Sequence, residues 1–269
     1  MIQVLTSLGS NALALVAYPG LLAMAVFGAP LELAWTRLTT GRLERSDLPR
    51  RRPTLAVVVT GVCATLASVQ LAAPFNPLPT DERNVVIAAI ALAFTAWAGL
   101  TAEVDVLAEP GLLLAVQVCW LLAVLGPAVQ PESLRPQVLG NLIVPGLLPL
   151  KIASGFLYLL CLPALLGLWP LAAPRDRRSS NRFEVGRGLC WFAYCGLFTT
   201  LFVTPSADDA LGLLRFLAIT IAAGAGTLIL AWLARMRGPR IVRGFYSKAV
   251  PAYAAGVLAL LVATSYLMH

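Results

Sequence analysis

Three of the chain's 13 acidic residues fall within one nine-residue stretch, EVDVLAEPG, as Glu103, Asp105 and Glu109. A strongly apolar run follows, beginning at Pro110. Carboxylates in such a position have two uses. One is capping: proline at the first helical turn gives up no hydrogen bond, and an acid beside it meets the positive end of the helix dipole. That interaction is worth about 0.3–1 kcal/mol. The other is proton handling, because burying Glu109 among helices would favour its neutral form and make it a proton-exchanging group. On the residues alone capping accounts for Glu109, with Glu103 and Asp105 solvated.

Metal and nucleotide chemistry find no such support. The single histidine, His269, is the last residue in the sequence, so paired-histidine haem ligation cannot be built within the chain. The five cysteines, Cys63, Cys119, Cys161, Cys190 and Cys195, lie in apolar runs and form no C-x-x-C pair. Iron–sulfur or zinc ligation is therefore not expected, and these thiols read as small apolar side chains. No P-loop, G-x-S-x-G or H-E-x-x-H motif is present. No cofactor is expected to be bound by this chain alone.

The elements that must position these residues are membrane helices. Of the 269 residues 59% are hydrophobic and 12% charged, with a mean hydropathy of +0.81. A soluble domain of that length needs a charged surface, so the composition predicts a polytopic, all-α membrane protein forming a single transmembrane helical domain over 1–269. About 20 apolar residues cross the hydrocarbon layer. Runs of that kind place eight spans at 4–30, 54–74, 84–101, 109–129, 145–170, 187–204, 211–234 and 248–267. The first has no basic leader region and no small-residue cleavage site, so it reads as a retained span and not as a signal peptide. The fifth is interrupted by PGLLPLK, and 137–150 reads alternatively as an interfacial segment. Span centres carry Gln70, Gln117, Ser154 and Thr227, while Glu32, Lys151 and Arg215 read as membrane-adjacent.

Basic residues set the orientation. Three loops, TRLTTGRLERSDLPRRRP, PRDRRSSNRFEVGR and RMRGPRIVRGFYSK, hold 16 of the 20. All three follow odd-numbered spans, whereas FNPLPTDERN and TPSADDALG are neutral to acidic. The positive-inside rule then puts both termini outside the cytoplasm of a cell (inner) membrane. The net charge of +7 is in this reading a topology signal with lipid contact. Nucleic-acid binding would need cations interleaved with aromatics on one folded face, and no domain carries one. Arg37, Arg50, Arg51, Arg52, Arg235, Arg237 and Arg240 are candidates for docking a cytoplasmic partner.

The order of these features resembles the quinone-chamber membrane subunit of respiratory complex I, and more closely its counterpart in membrane-bound [NiFe] hydrogenase and formate hydrogenlyase complexes. GAPLELAWTRLTTGRLER is similar to the end of the family's first span and its arginine-rich loop. PFNPLPTDERNVVIAAIALAFTAWAGL fits the second loop and third span, and VLAEPGLLLAVQV the start of the fourth, where Glu109 takes the position of the family's glutamate. RFEVGRGLCWFAYCGLF resembles the entry to the sixth span. ARMRGPRIVRGFYSKAVPAYAAGVL resembles the C-terminal pattern of a basic loop, an aromatic and a lysine before a proline. The resemblance implies eight spans with the N-terminus outside, a membrane-arm anchor role in a redox complex, and a proton-coupling role for Glu109. Its partners would be other membrane subunits and peripheral iron–sulfur or hydrogenase-like subunits on the cytoplasmic side.

Three departures weigh against inherited quinone binding and proton coupling. The family's acidic cluster after the fifth span is replaced by WPLAAPRDRRSSNRFEVG, with two acids among four arginines. Leu100 stands where the family has an arginine. The amphipathic helix after the first span is missing, since Arg52-Pro53 leads directly into span two. Two other classes remain open at this level. One is a small-molecule or lipid transporter or permease subunit, suggested by the interrupted fifth span. The other is a lipid-modifying enzyme, for which only Glu103, Asp105 and Glu109 are available.

Overall fold

A computed structural model describes residues 12, 15–40, 55–102, 110–128, 133–141, 147–168, 185–203 and 206–268. Among the described residues the chain is helical, with no strand. In chain order the elements are α1 Leu21–Thr40, α2 Leu55–Val69, α3 Val85–Ala102, α4 Pro110–Leu125, α5 Pro136–Asn141, α6 Leu148–Leu165, α7 Val185–Phe202, α8 Ala210–Arg237, α9 Pro239–Gly244 and α10 Val250–Met268. A π-turn, Phe245–Ala249, joins the last two. Five segments are long and apolar enough to cross a membrane: Leu21–Thr39, Pro110–Ala128, Leu148–Leu165, Ala210–Arg237 and Pro239–Tyr266. Helices α2 and α3 supply two shorter apolar stretches. The protein is thus a multi-pass membrane protein by its helices.

Helix α7 is the hub. It packs against α1, α2, α3, α5, α6 and α8, and all but a few of its residues are buried. Lipid tails are as apolar as leucine, so close packing and internal hydrogen bonds hold such helices together. The centre is aromatic. Trp120 of α4 sits 5.8 Å from the Tyr158 ring of α6 and 5.7 Å from the Tyr194 ring of α7. The Tyr158 hydroxyl donates to the Tyr194 carbonyl at 2.8 Å, and the Tyr194 hydroxyl to the Leu92 carbonyl at 2.8 Å. Each phenol therefore ties two helices together while keeping its own O–H satisfied.

Helix ends collect at two poles. At one, the start of α7 lies over α2, with Gly186 against Val57 and Thr60. There Arg235 of α8 donates to the Thr39 carbonyl of α1 at 3.3 Å. At the other, the Asp208 carboxylate accepts from the backbone N–H of Phe75 at 3.2 Å. Val85 N–H donates to the Leu134 carbonyl at 3.0 Å. The first pole gathers the arginine-bearing ends of α1, α8 and α9; the second gathers Asp81, Glu82, Asp208 and Asp209.

Helices are found where seven of the eight runs lie, and the first run is corrected. Past a bend over 17–20 the helix Leu21–Thr40 continues ten residues beyond the expected end, while most of the run before residue 15 lies outside the described residues. The apolar run misled because hydropathy ends a span at its first charge, whereas a charge that finds a buried partner can continue it. A smaller correction concerns Gln70, which lies beyond the end of α2 and not at a span centre. Its side-chain oxygen accepts from Asn84 N–H at 2.7 Å, and the Asn84 side chain in turn accepts from Val86 N–H at 2.8 Å to open α3. The fifth run, 145–170, holds α6, and α5 precedes it; 142–146 lie outside the described residues.

Candidate functional site

Extending α1 carries Glu32 into the bundle, where it is 0% exposed. Glu32 and Gly28 lie four residues apart and share the face of α1 that meets α7. A Cβ on Gly28 would collide with the Gly188 carbonyl oxygen, so glycine is what allows the two backbones to approach. At that approach Arg187, 7% exposed, reaches Glu32. Its Nε donates to Oε2 at 2.9 Å while Nη2 donates to Oε1. Trp191, one turn further along α7, donates its indole N–H to Oε2 at 3.2 Å. The Thr36 hydroxyl bonds the Glu32 carbonyl at 2.9 Å.

The geometry is a bidentate fork, the strongest arrangement open to a carboxylate and a guanidinium. Two charges buried apart would each be prohibitive in this medium; together they are neutral and hydrogen-bonded. Glu32 read from the sequence as membrane-adjacent and Arg187 as a loop cation; both belong to the buried interior. The pair is separated by 155 residues, so nothing in local spacing joins them. The available signal was that RGLCWFAYCGLF opens with an arginine at the threshold of an apolar run.

The other expected site residues divide. Arg37, Arg235, Arg237 and Arg240 are exposed at the basic pole, with Arg37 in the last turn of α1 and Arg235 and Arg237 in the last turn of α8. The Arg235–Thr39 bond brings the first and seventh runs together there. Glu103, Asp105, Glu109, Arg50, Arg51 and Arg52 lie outside the described residues. The polar residues at the remaining span centres have mainly local work. Gln117 accepts from the Trp97 indole N–H at 2.7 Å and donates to the Ala93 carbonyl at 3.0 Å, bridging α4 to α3. Thr227 bonds back to the Ala223 carbonyl at 2.8 Å within its own helix. Ser154 is buried with no hydrogen-bond partner for its hydroxyl.

The second pole holds a different cation. Arg83 is 5% exposed, and donates from Nε to Leu78 at 3.0 Å and from Nη2 to Leu78 at 2.6 Å and Asn76 at 3.1 Å. A further bond runs from Nη1 to Leu71 at 3.3 Å. All of these acceptors are backbone carbonyls of the α2–α3 connection. Burial pulls the Arg83 guanidinium down from its ordinary value, and the Asp208 carboxylate pulls it back up. This arginine folds a loop. Among the described residues no group of three His, Cys, Asp or Glu is arranged to hold a metal ion. Compared with known proteins, the chain matches no protein-family model and no curated protein.

Proposed function

We propose that the chain is a membrane-arm anchor subunit of a complex I-like or hydrogenase-like redox complex. It would dock peripheral electron-transfer subunits and take part in proton coupling through Glu109. In this reading it has eight spans, sits in the inner membrane with both termini outside the cytoplasm, and leaves the metal clusters to its partners. The observation that carries the reading is the gathering of Arg37, Arg235 and Arg237 from the ends of α1 and α8 onto one pole. A docking surface for a peripheral protein needs cations from distant parts of the chain on one face. The ordered sequence resemblance supplies the kind of partner.

Affinity purification of the tagged chain from native membranes tests the proposal. Iron–sulfur or hydrogenase-like proteins should co-purify, and Arg37→Glu combined with Arg235→Glu should release them; recovery of the chain alone would overturn it. Glu109→Gln should lower energy coupling while leaving assembly intact, and unchanged coupling would return Glu109 to helix capping.

The transporter or permease reading draws on PGLLPLK within the fifth apolar run, beside which Lys151 of α6 donates to the Gly140 carbonyl of α5 at 3.2 Å. Broken helices of this kind line binding sites in transporters. Substrate-dependent flux by the isolated chain in liposomes would favour it over the redox reading.

A further inference from the structure

Between α8 and α10 the chain turns through Pro239–Ala249 with an unusual division of faces. Val242 and Tyr246 point inward and are buried, and the Tyr246 hydroxyl donates to the Leu160 carbonyl of α6 at 2.7 Å. Arg240 and Lys248 are exposed on the face opposite that stripe, with Arg243 on one flank. Ile241, 61% exposed, and Phe245, 38% exposed, occupy the other flank. A segment that is apolar on one side and cationic on another suits the plane between acyl chains and headgroups.

The π-turn keeps this arrangement in register. Val242, Tyr246, Val250 and Ala254 are all buried at steps of four residues, whereas a straight α-helix repeats every 3.6. Widening one turn absorbs the drift. Pro251 provides the cause, since it has no N–H and its ring crowds the carbonyl four residues earlier. Val250 N–H accordingly reaches back five residues to the Phe245 carbonyl. The cationic face is thereby held outward beside the membrane boundary.

Charge fixes the occupant. From Ala210 to His269 the sequence contains no acidic residue. Of the acids among the described residues, Glu32 is turned inward onto Arg187 and the other four lie at the opposite pole. Helix α8, 28 residues long, measures about 42 Å against a hydrocarbon layer of about 30 Å. Its end, with Trp232 38% and Met236 65% exposed, therefore passes through the headgroup layer where α9 begins.

We propose that the α9–π-turn segment is a binding site for an anionic phospholipid. The phosphate is held by Arg240 and Lys248, and the acyl chains lie along Ile241 and Phe245. The inference needs a bilayer-spanning bundle but not the redox assignment, and it takes Arg240 for lipid instead of for a docked protein. At roughly a factor of five per cation near a charged surface, two cations give an anionic preference of roughly 30-fold.

Native mass spectrometry of the full chain, released from nanodiscs of mixed phosphatidylglycerol and phosphatidylcholine, reads that preference directly. Wild-type protein should retain phosphatidylglycerol preferentially. The Arg240→Gln/Lys248→Gln variant should fall to near parity, and Arg135→Gln at the opposite pole should behave as wild type. A double variant that keeps the full preference, or a wild type with none, overturns the proposal. So does loss of a co-purifying soluble protein from the double variant with lipid retention unchanged, which would assign these cations to protein docking. A circular-dichroism melt matching wild type shows that the double variant is folded when the lipid result is read.

Discussion

Glu32 and Arg187 form a charge pair whose value lies in being complete. Removing one partner leaves the other charged, buried and unpaired, which typically costs about 3–5 kcal/mol. Glu32→Gln and Arg187→Met should each lower stability by about that amount in reversible denaturation in micelles. The double variant Glu32→Leu/Arg187→Met should recover most of the loss, because apolar side chains of similar volume replace an ion pair at little net cost. If both singles are near neutral, the fork does not hold α1 to α7. Arg83 offers a contrasting case, since its role is geometric. Arg83→Lys preserves charge but cannot reproduce donation to three carbonyls, so it should destabilise by about 1–3 kcal/mol, read in the same assay.

At the scale of elements the α1–α7 crossing depends on Gly28. Gly28→Val drives side-chain atoms into the Gly188 backbone, and overpacking of this kind costs about 1–3 kcal/mol. It also pushes Glu32 away from Arg187. Its effect should therefore be non-additive with Glu32→Gln, and strict additivity in the double-mutant cycle would show the crossing and the ion pair to be independent. The π-turn makes a second element-level prediction. Tyr246→Phe should cost about 1 kcal/mol through loss of its bond to Leu160. In a Pro251→Ala background, where a regular α-turn rotates Tyr246 off that carbonyl, the same change should cost nothing. Equal penalties in both backgrounds would show that Pro251 does not set the register.

At the scale of the molecule the division of charge between poles bears on the proposed orientation. Among the described residues the exposed carboxylates sit at one end, and Arg37, Arg235, Arg237, Arg240 and Arg243 are exposed at the other. Single cysteines at exposed Ala207 and exposed Ser247 report the two ends. An impermeant maleimide applied to intact cells should label Ala207→Cys, and Ser247→Cys only after permeabilisation. The reverse pattern would invert the orientation. The native thiols do not compete strongly, since four of the five are buried and Cys63 is half-buried.

Helix type and most helix positions were legible in the sequence, because apolar runs and the prolines and polar clusters between them are local signals. VVIAAIALAFTAWAGL and PGLLLAVQVCWLL announce α3 and α4 by composition alone. The basic end of α8 was likewise legible, since arginines close its apolar run. The end of α1 was not, because a hydropathy run cannot tell a glutamate that terminates a span from one that will be neutralised inside it. That distinction belongs to α7, 155 residues away. The same holds for Gln70, whose capping of Asn84 depends on the path of the α2–α3 loop, and for the meeting of the ends of α1 and α8 at the Arg235–Thr39 bond. By itself the sequence determined that this chain is a bundle of apolar helices with charge sorted to their ends. Only the tertiary structure decided which charges face outward and which face each other, because that choice is made by desolvation and pairing between helices distant in the chain.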